Sequence, residues 1–264
     1  MTEPADRKQR VRAAFNRAAP SYNSAAAVQR EICQQLLALA RAHPPQAPVS
    51  TLVDAGCGTG VGAGALLDWL QPTQHLAIDF AAAMLRQPGH PARARLLCAD
   101  LEALPIGDAQ VDALWSSLAL QWCNPATALH EIGRVLRPGG RAWIATLGPD
   151  TLHELRGAFA GIDHARHVID FHPATHWHQC ASDAGLRVRA TRHPPTAATA
   201  TTLKGLLRDI KAIGADQVGD GRRRAPLGRQ AWQTLQTRYE KHRRADGLLP
   251  ATYDVILLAL EKPA

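Results

Sequence analysis

The chain predicts an α/β protein built on a doubly wound, mostly parallel sheet. Three observations carry the prediction. Short apolar runs of strand length alternate with helix-period segments between Thr51 and Leu147, the spacing of βαβ units. A glycine loop, Asp54-Ala55-Gly56-Cys57-Gly58-Thr59-Gly60, separates the first run from the helical segment after it. Aspartates stand at the ends of the first three runs, Asp54, Asp79 and Asp100.

The elements follow in order. Ala25 to Ala42 carries Val28, Ile32, Leu36 and Leu39 at helical spacing and stops before His43-Pro44-Pro45, which reads as a linker. Thr51 to Asp54 is a short apolar run halted by glycines, a buried strand. Val61 to Leu70 reads as a helix, His75 to Asp79 as a strand, Ala81 to Arg86 as a short helix, and Ala94 to Ala99 and Val111 to Ser117 as strands. Ala126 to Leu136 is a helix closed by Pro138-Gly139-Gly140, and Arg141 to Leu147 is the fifth strand. Beyond it the alternation loosens. Thr175 to Ala184 is helical, Leu186 to Thr191 strand-like, and Pro194 to Thr202, rich in Pro, Ala and Thr, reads as a linker. Leu203 to Ile213 and Arg229 to Arg244 are helical, and Tyr253 to Leu260 is the last strand. The expected organisation is a helical cap over 1–45, a core over 46–193, a helical cap insertion over 194–249 and the last core strand over 250–264.

At 264 residues, with 46% hydrophobic and 20% charged side chains, the chain buries a core without staples, which excludes disorder as its main state. The five cysteines, Cys33, Cys57, Cys98, Cys123 and Cys180, contain no C-x-x-C pair, which argues against a disulfide framework and a cysteine zinc site. Met1 to Arg12 lacks the apolar stretch of a signal peptide, and no apolar run has the ~18 residues of a membrane span. A cytoplasmic protein without membrane contact is expected. Lys and Arg number 30 against 23 Asp and Glu, a formal charge of +7, which calls for an anionic ligand, an acidic partner or simply an Arg-rich composition.

The glycine loop lets backbone approach a ligand closely. It is not the dinucleotide fingerprint, because Val61 and Ala63 stand where G-x-G-x-x-G needs its last glycine, and it lacks the Gly-Lys-Ser/Thr of a P-loop. Asp54 at its opening disfavours a phosphate and suits an amine. Asp79, 19 residues after Gly60, is placed for both hydroxyls of a ribose, and Asp100 for an adenine amino group.

These residues, with Ala99 to Pro105 and Arg134 to Gly140, resemble the class I S-adenosylmethionine-dependent methyltransferases over about Leu52 to Leu147. The resemblance implies a Rossmann-like, seven-stranded sheet whose last strand runs antiparallel. It implies that Gly56, Gly58 and Gly60 face the methionine part of the cofactor, that Asp79 holds the ribose, and that Asp100 and Leu101 meet the adenine. Phe80 departs from the small hydroxyl residue common at that position; Phe80 and Met84 are expected near the adenine face, and Ser117 at the methionine part.

Four further segments, Phe15 to Tyr22, Ser116 to Trp122, Thr151 to Leu155 and Leu207 to Ala215, are similar to the malonyl-acyl-carrier-protein O-methyltransferases of biotin synthesis. That resemblance implies methyl transfer to the free carboxylate of a malonyl thioester. Such a carboxylate is ionised at neutral pH and needs no general base; position and desolvation carry the rate. Tyr22 is the first candidate to close over the sulfonium or donate to the substrate. Gln121 and Trp122 follow the fourth strand, where Trp122 offers a π face to the sulfonium. Lys211, on a cap helix, is a candidate for the malonyl carboxylate.

Two clusters remain. His164, His167, His172, His176 and His178 read as a polar surface rather than a metal site, since His176 and His178 do not share one helix face. Arg222, Arg223 and Arg224, with Arg229, Arg238, Lys241, Arg243 and Arg244, make the cap basic and suit the acidic acyl carrier protein; no nucleic-acid-binding fold is recognisable. Gly148 to Leu152 and Asp246 to Tyr253 also resemble methyltransferase-like complex I assembly factors implicated in protein-arginine hydroxylation. A methyltransferase of free small acids and a non-catalytic cofactor-binding module stay open beside it.

Overall fold

A computed structural model describes residues 4–162, 167–212 and 227–264. Five strands, β1 (Thr51–Ala55), β2 (Gln74–Asp79), β3 (Ala94–Cys98), β4 (Val111–Ser117) and β5 (Leu136–Leu147), pair in parallel in the order β3-β2-β1-β4-β5. The sheet continues through β8 (Leu249–Glu261) to β6 (Arg187–Arg192), and β8 runs antiparallel to both of its neighbours.

The helices are α1 (Pro4–Ala18), α2 (Tyr22–Ala25), α3 (Ala27–Ala42), α4 (Ala63–Leu70), α5 (Ala82–Leu85), α6 (Pro125–Val135), α7 (His153–Phe159), α8 (Ala174–Asp183), α9 (Leu203–Ala212) and α10 (Arg229–Glu240). They cover both faces of the sheet, as a parallel sheet requires. Strand side chains alternate between two cores. Leu52, Trp115, Trp143 and Leu257 point to the layer of α3, α4, α7, α9 and α10, while Val53, Leu114, Ile144 and Ile256 point to that of α6 and α8.

Two expectations need correction. Pro194 to Thr202 is not a linker, because Pro195–Ala200 forms β7 and pairs with the first half of β8, from Pro195 opposite Asp254 to Ala200 opposite Leu249. The sheet therefore has an eighth strand. Small Ala and Thr side chains hid it, although they fit the pleat, and Pro195 takes the first strand position, where a missing donor is tolerated. Likewise β5 begins at Leu136 rather than Arg141. Pro138-Gly139-Gly140 lies within it, across a bulge from β4, with Gly139 donating its N–H to the carbonyl of Lys262.

Helix α6 starts where its capping chemistry dictates: the Asn124 Oδ1 accepts the Thr127 N–H at 3.1 Å and Pro125 fills the first turn. Among the described residues no helix is long and apolar enough to cross a membrane.

Candidate active site

The carboxyl ends of β1, β2 and β4 open onto a cleft whose empty space, open solvent included, is about 640 Å³. Gly56 and Gly58, Asp79, Phe80 and Met84, Asp100 and Leu101, and Ser117 and Trp122 line it together. Asp54 lies at one end, in an adjoining cavity with Gly56, Gly58, Ser117 and Tyr22.

Backbone geometry shapes the loop. Gly56 and Cys57 donate their N–H groups to the Ile78 carbonyl at 2.8 and 3.0 Å, tying the loop to the end of β2. Gly56 has φ +78°, and a Cβ there would sit 2.1 Å from that of Ala119. A Cβ on Gly58 would meet nothing within 4 Å, so a ligand can approach the chain closely there. Gly60 lines none of the three adjoining cavities, and a Cβ on it would lie 2.7 Å from the Gly89 carbonyl oxygen.

Three carboxylates behave differently. Asp79 is buried and accepts the N–H groups of Ala81 at 2.8 Å and Gly58 at 3.0 Å; burial pushes its carboxyl up, against the pull of those donors. Asp54 is 4% exposed, and burial, helped by the charge of Asp79, pushes its carboxyl up to about 7. Asp100 is more open. Its Oδ1 accepts the Glu102 N–H, and its Oδ2 lies 2.6 Å from the Lys8 ammonium, which also reaches Glu102 at 2.9 Å.

Lys8 was not anticipated. It comes from α1, which lies across the cleft beside α5. Phe15 on the same helix packs on Phe80 with ring centres 6.3 Å apart and meets Trp122 edge-on at 5.5 Å. Asn16 Oδ1 accepts the Ala83 N–H at 2.9 Å, and Asn23 Oδ1 accepts the Thr59 hydroxyl at 2.5 Å. The N-terminal segment is thus fastened to the rim of the cleft at several polar points. Its signal in sequence was faint, since α1 is too polar to show a strong apolar face.

A second cavity of about 670 Å³ adjoins the cleft. Phe15, Tyr22, Leu118 and Trp122 line both, so these four form the partition. Leu118 holds a left-handed φ of +57° and is braced by its own N–H to the Ala145 carbonyl and by Gln121 Nε2, which donates to its carbonyl at 2.7 Å. Gln121 borders the second cavity, but its amide donor is spent on that brace. The lining is apolar over Leu147, Leu152, Val168, Ile169, Phe171 and Ile210, with Gln29, Thr151, His167 and Tyr253 as its other polar members. Tyr253 and Gln29 escaped the sequence reading; a lone tyrosine in an aliphatic strand was their only hint.

Lys211 is a further correction. It is exposed on α9 and lines neither cavity; Ile210 beside it takes the lining position. Arg222, Arg223, Arg224 and His164 lie outside the described residues. His172 and His176 stack at 4.3 Å, yet among the described residues no three His, Cys, Asp or Glu side chains gather so as to hold a metal. Burial raises the thiols of Cys33 and Cys123 to about 12 and that of Cys57 further, so none is a thiolate at neutral pH.

Comparison with known proteins agrees with this geometry. Residues 53–144 match the model of a methyltransferase domain. The chain is 44% identical over 255 residues to the malonyl-[acyl-carrier protein] O-methyltransferase of Dechloromonas aromatica (strain RCB), covering 97% of this chain and 95% of that protein. It is 38% identical to the biotin biosynthesis bifunctional protein BioHC of Cellvibrio japonicus (strain Ueda107), covering 97% of this chain and 50% of that protein. Among solved structures, the geranyl diphosphate C-methyltransferase of Streptomyces coelicolor A3(2) shares the fold, with a TM-score of 0.52 at 16% identity over 87% of this chain and 78% of that one.

Proposed function

The chain belongs to the malonyl-[acyl-carrier protein] O-methyltransferase family, and we propose on that premise that it methylates the free carboxylate of a malonyl thioester with S-adenosylmethionine, in biotin synthesis. The observation that carries the reading is the pair of adjoining cavities, one bordered by Gly56, Gly58, Asp79 and Asp100 and the other by no Asp, Glu, Lys or Arg among the described residues, meeting at Tyr22, Phe15, Leu118 and Trp122.

The cleft suits the cofactor chemically. The buried Asp54 complements an ammonium, Asp79 at the end of β2 complements the paired hydroxyls of a ribose, and Phe80, Met84 and Leu101 offer an apolar bed for an adenine. Asp100 keeps lone pairs for the amino group beside its bond to Lys8. When bound, S-adenosylmethionine supplies a methyl group on a positively charged sulfur that leaves as a neutral thioether. Trp122, fixed edge-on by Phe15, presents a π surface to such a cation. Tyr22, which borders all three cavities, closes the partition and excludes water. The malonyl carboxylate enters ionised and needs no base, and no activated thiol competes with it.

The second cavity favours a thioester over a free diacid. A thioester buries a neutral acyl linkage among Leu147, Leu152 and Ile169, whereas a free diacid would place a second charge there at heavy cost. The carrier protein is the partner this reading requires, and the arginine-rich run at Arg222, Arg223 and Arg224 is its proposed docking surface. Residues 1–45 and the part of 194–249 that follows β7 act together as the cap, and the enzyme works in the cytoplasm.

The test is methyl transfer from labelled S-adenosylmethionine to three acceptors: malonyl carrier protein, malonyl-CoA and free dicarboxylic acids. Label on the thioesters supports the proposal. Label on free acids alone, or on none, overturns it. Charge reversal at Arg222, Arg223 and Arg224 raises KM for the carrier but not for malonyl-CoA if that run docks the carrier.

A further inference from the structure

The chain has three tyrosines, Tyr22, Tyr239 and Tyr253. Tyr239 plays a structural part, since its buried hydroxyl donates to the Pro250 carbonyl at 2.8 Å. The other two border the second cavity. Among the described residues neither hydroxyl has a hydrogen-bond partner, although Tyr253 is only 6% exposed. Tyr253 is close enough for its charge to bear on Tyr22. Both hydroxyls keep access to the cavity they border, so each is free to donate to a ligand there.

Gln29 adds a third polar group without a partner. It borders both the second cavity and the cavity at Asp54, and its Oε1 is buried and unbonded. Its two amide ends differ by a flip, so either end serves the cavity. No Lys or Arg lines that cavity among the described residues, and the imidazole there, His167, stacks face to face on Phe159 at 3.4 Å.

We infer that Tyr253 holds the acceptor carboxylate, completing with Tyr22 and Gln29 a cradle of uncharged donors beside the partition. This rests on the reading that a malonyl carboxylate enters the second cavity. The chemistry favours such a cradle. A guanidinium would bind the carboxylate tightly in the ground state and drain the electron density that attacks the methyl carbon. Stabilisation of that kind is lost as the charge is neutralised in the transition state. Neutral O–H and N–H donors orient the carboxylate and leave its attacking oxygen basic. Burial pushes the Tyr253 hydroxyl up to about 12 and that of Tyr22 further, so both stay protonated donors at working pH.

The test uses the full chain and malonyl-CoA. Titration calorimetry without a methyl donor reads binding, and methyl transfer reads KM and kcat separately. Tyr253→Phe keeps the ring and removes one hydrogen bond to an ion, which weakens malonyl-CoA binding at least tenfold. It leaves acetyl-CoA, which lacks the carboxylate, and S-adenosylhomocysteine binding unchanged. Gln29→Leu likewise weakens malonyl-CoA binding and leaves acetyl-CoA binding unchanged. Tyr239→Phe, which breaks the structural bond to Pro250, leaves malonyl-CoA binding as it was. Equal losses for malonyl-CoA and acetyl-CoA in Tyr253→Phe, or no loss for either, overturn the inference while the proposed function stands. A wild-type protein that methylates no malonyl thioester overturns both.

Discussion

Replacing Asp54 with asparagine should stabilise the empty protein while weakening its hold on the cofactor. Burial and the nearby charge of Asp79 lift the Asp54 carboxyl from 3.8 to about 7. The folded pKa lies above the unfolded one, so the unfolded chain gives up the proton more readily. Stability from this group is therefore full at low pH and is lost as the pH climbs from about 4 to about 7. At about 1.4 kcal/mol per unit, the ionised carboxylate costs about 4 kcal/mol at pH 8. The neutral amide of the variant carries no such penalty. The melting temperature of Asp54→Asn at pH 8 should rise by roughly ten degrees, at about 2–4 °C per kcal/mol. The gain should shrink to less than half by pH 5, where the folded wild type is already protonated. Calorimetric titration with S-adenosylhomocysteine provides the other half. Wild-type affinity should fall as the pH drops below 7, approaching tenfold per unit, because the amine of the ligand loses its carboxylate partner. The substituted protein should bind weakly and lose that dependence on Asp54. A variant that melts lower at pH 8 and binds as tightly as wild type would refute the reasoning at both points.

Three other outcomes are expected. Gly60→Ala forces a side chain into a φ of +84° and toward the Gly89 carbonyl, so chemical denaturation should show a loss of about 1–3 kcal/mol. Lys8→Ala removes a half-exposed ion pair and should change stability by less than about 1 kcal/mol, yet stopped-flow measurement should show faster S-adenosylhomocysteine release, because one fastening of α1 to the cleft is gone. His75 is 2% exposed with neither ring nitrogen bonded, and burial first, then Arg93 and His90, lowers its pKa. Its folded pKa lies below the unfolded value, so stability falls as the pH drops below about 6.5. His75→Leu should be neutral or stabilising at pH 7 and flatten that loss in acid melts.

The parallel half of the fold was legible because its signals are local. Glycines with positive φ and aspartates at strand ends each fix a backbone feature within a few residues, whereas the Asn124 cap that starts α6 one residue before the expected Ala126 was not read. What else was missed depends on distant partners. Strand β7 exists because β8 is long enough to pair twice, with β7 along its first half and with β5 and β6 along its second. No periodicity inside Pro195–Ala200 announces that. Lys211 suited a carboxylate by charge, but one residue on a helix turns a side chain by about 100°, and the cavity took Ile210 instead. Tyr253 looked like strand filler, and its meaning depends on Tyr22, which is far away in sequence.

The N-terminal segment explains why an open sheet edge supports methyl transfer. A cleft at strand ends is wet, and water both screens a sulfonium and solvates the attacking carboxylate. Helix α1 covers the Asp100 side of the cleft through Lys8 and Phe15, and Tyr22 covers the side where the two cavities meet. The fastenings are individually weak: partly exposed ion pairs at Asp100 and Glu102, one backbone donor bound by Asn16, one hydroxyl bound by Asn23. Each is worth about 1 kcal/mol or less. A cover held by one strong bond would trap the spent cofactor. One held by several weak contacts excludes water while closed and still opens between turnovers, because the contacts are lost one at a time. The aromatic contact of Phe15 with Trp122 links the two functions, since lifting α1 also releases the wall of the second cavity. Cofactor exchange and acceptor entry are therefore coupled through one helix, and loosening it at Phe15 or at Lys8 should disturb both, more at Phe15, which itself lines both cavities.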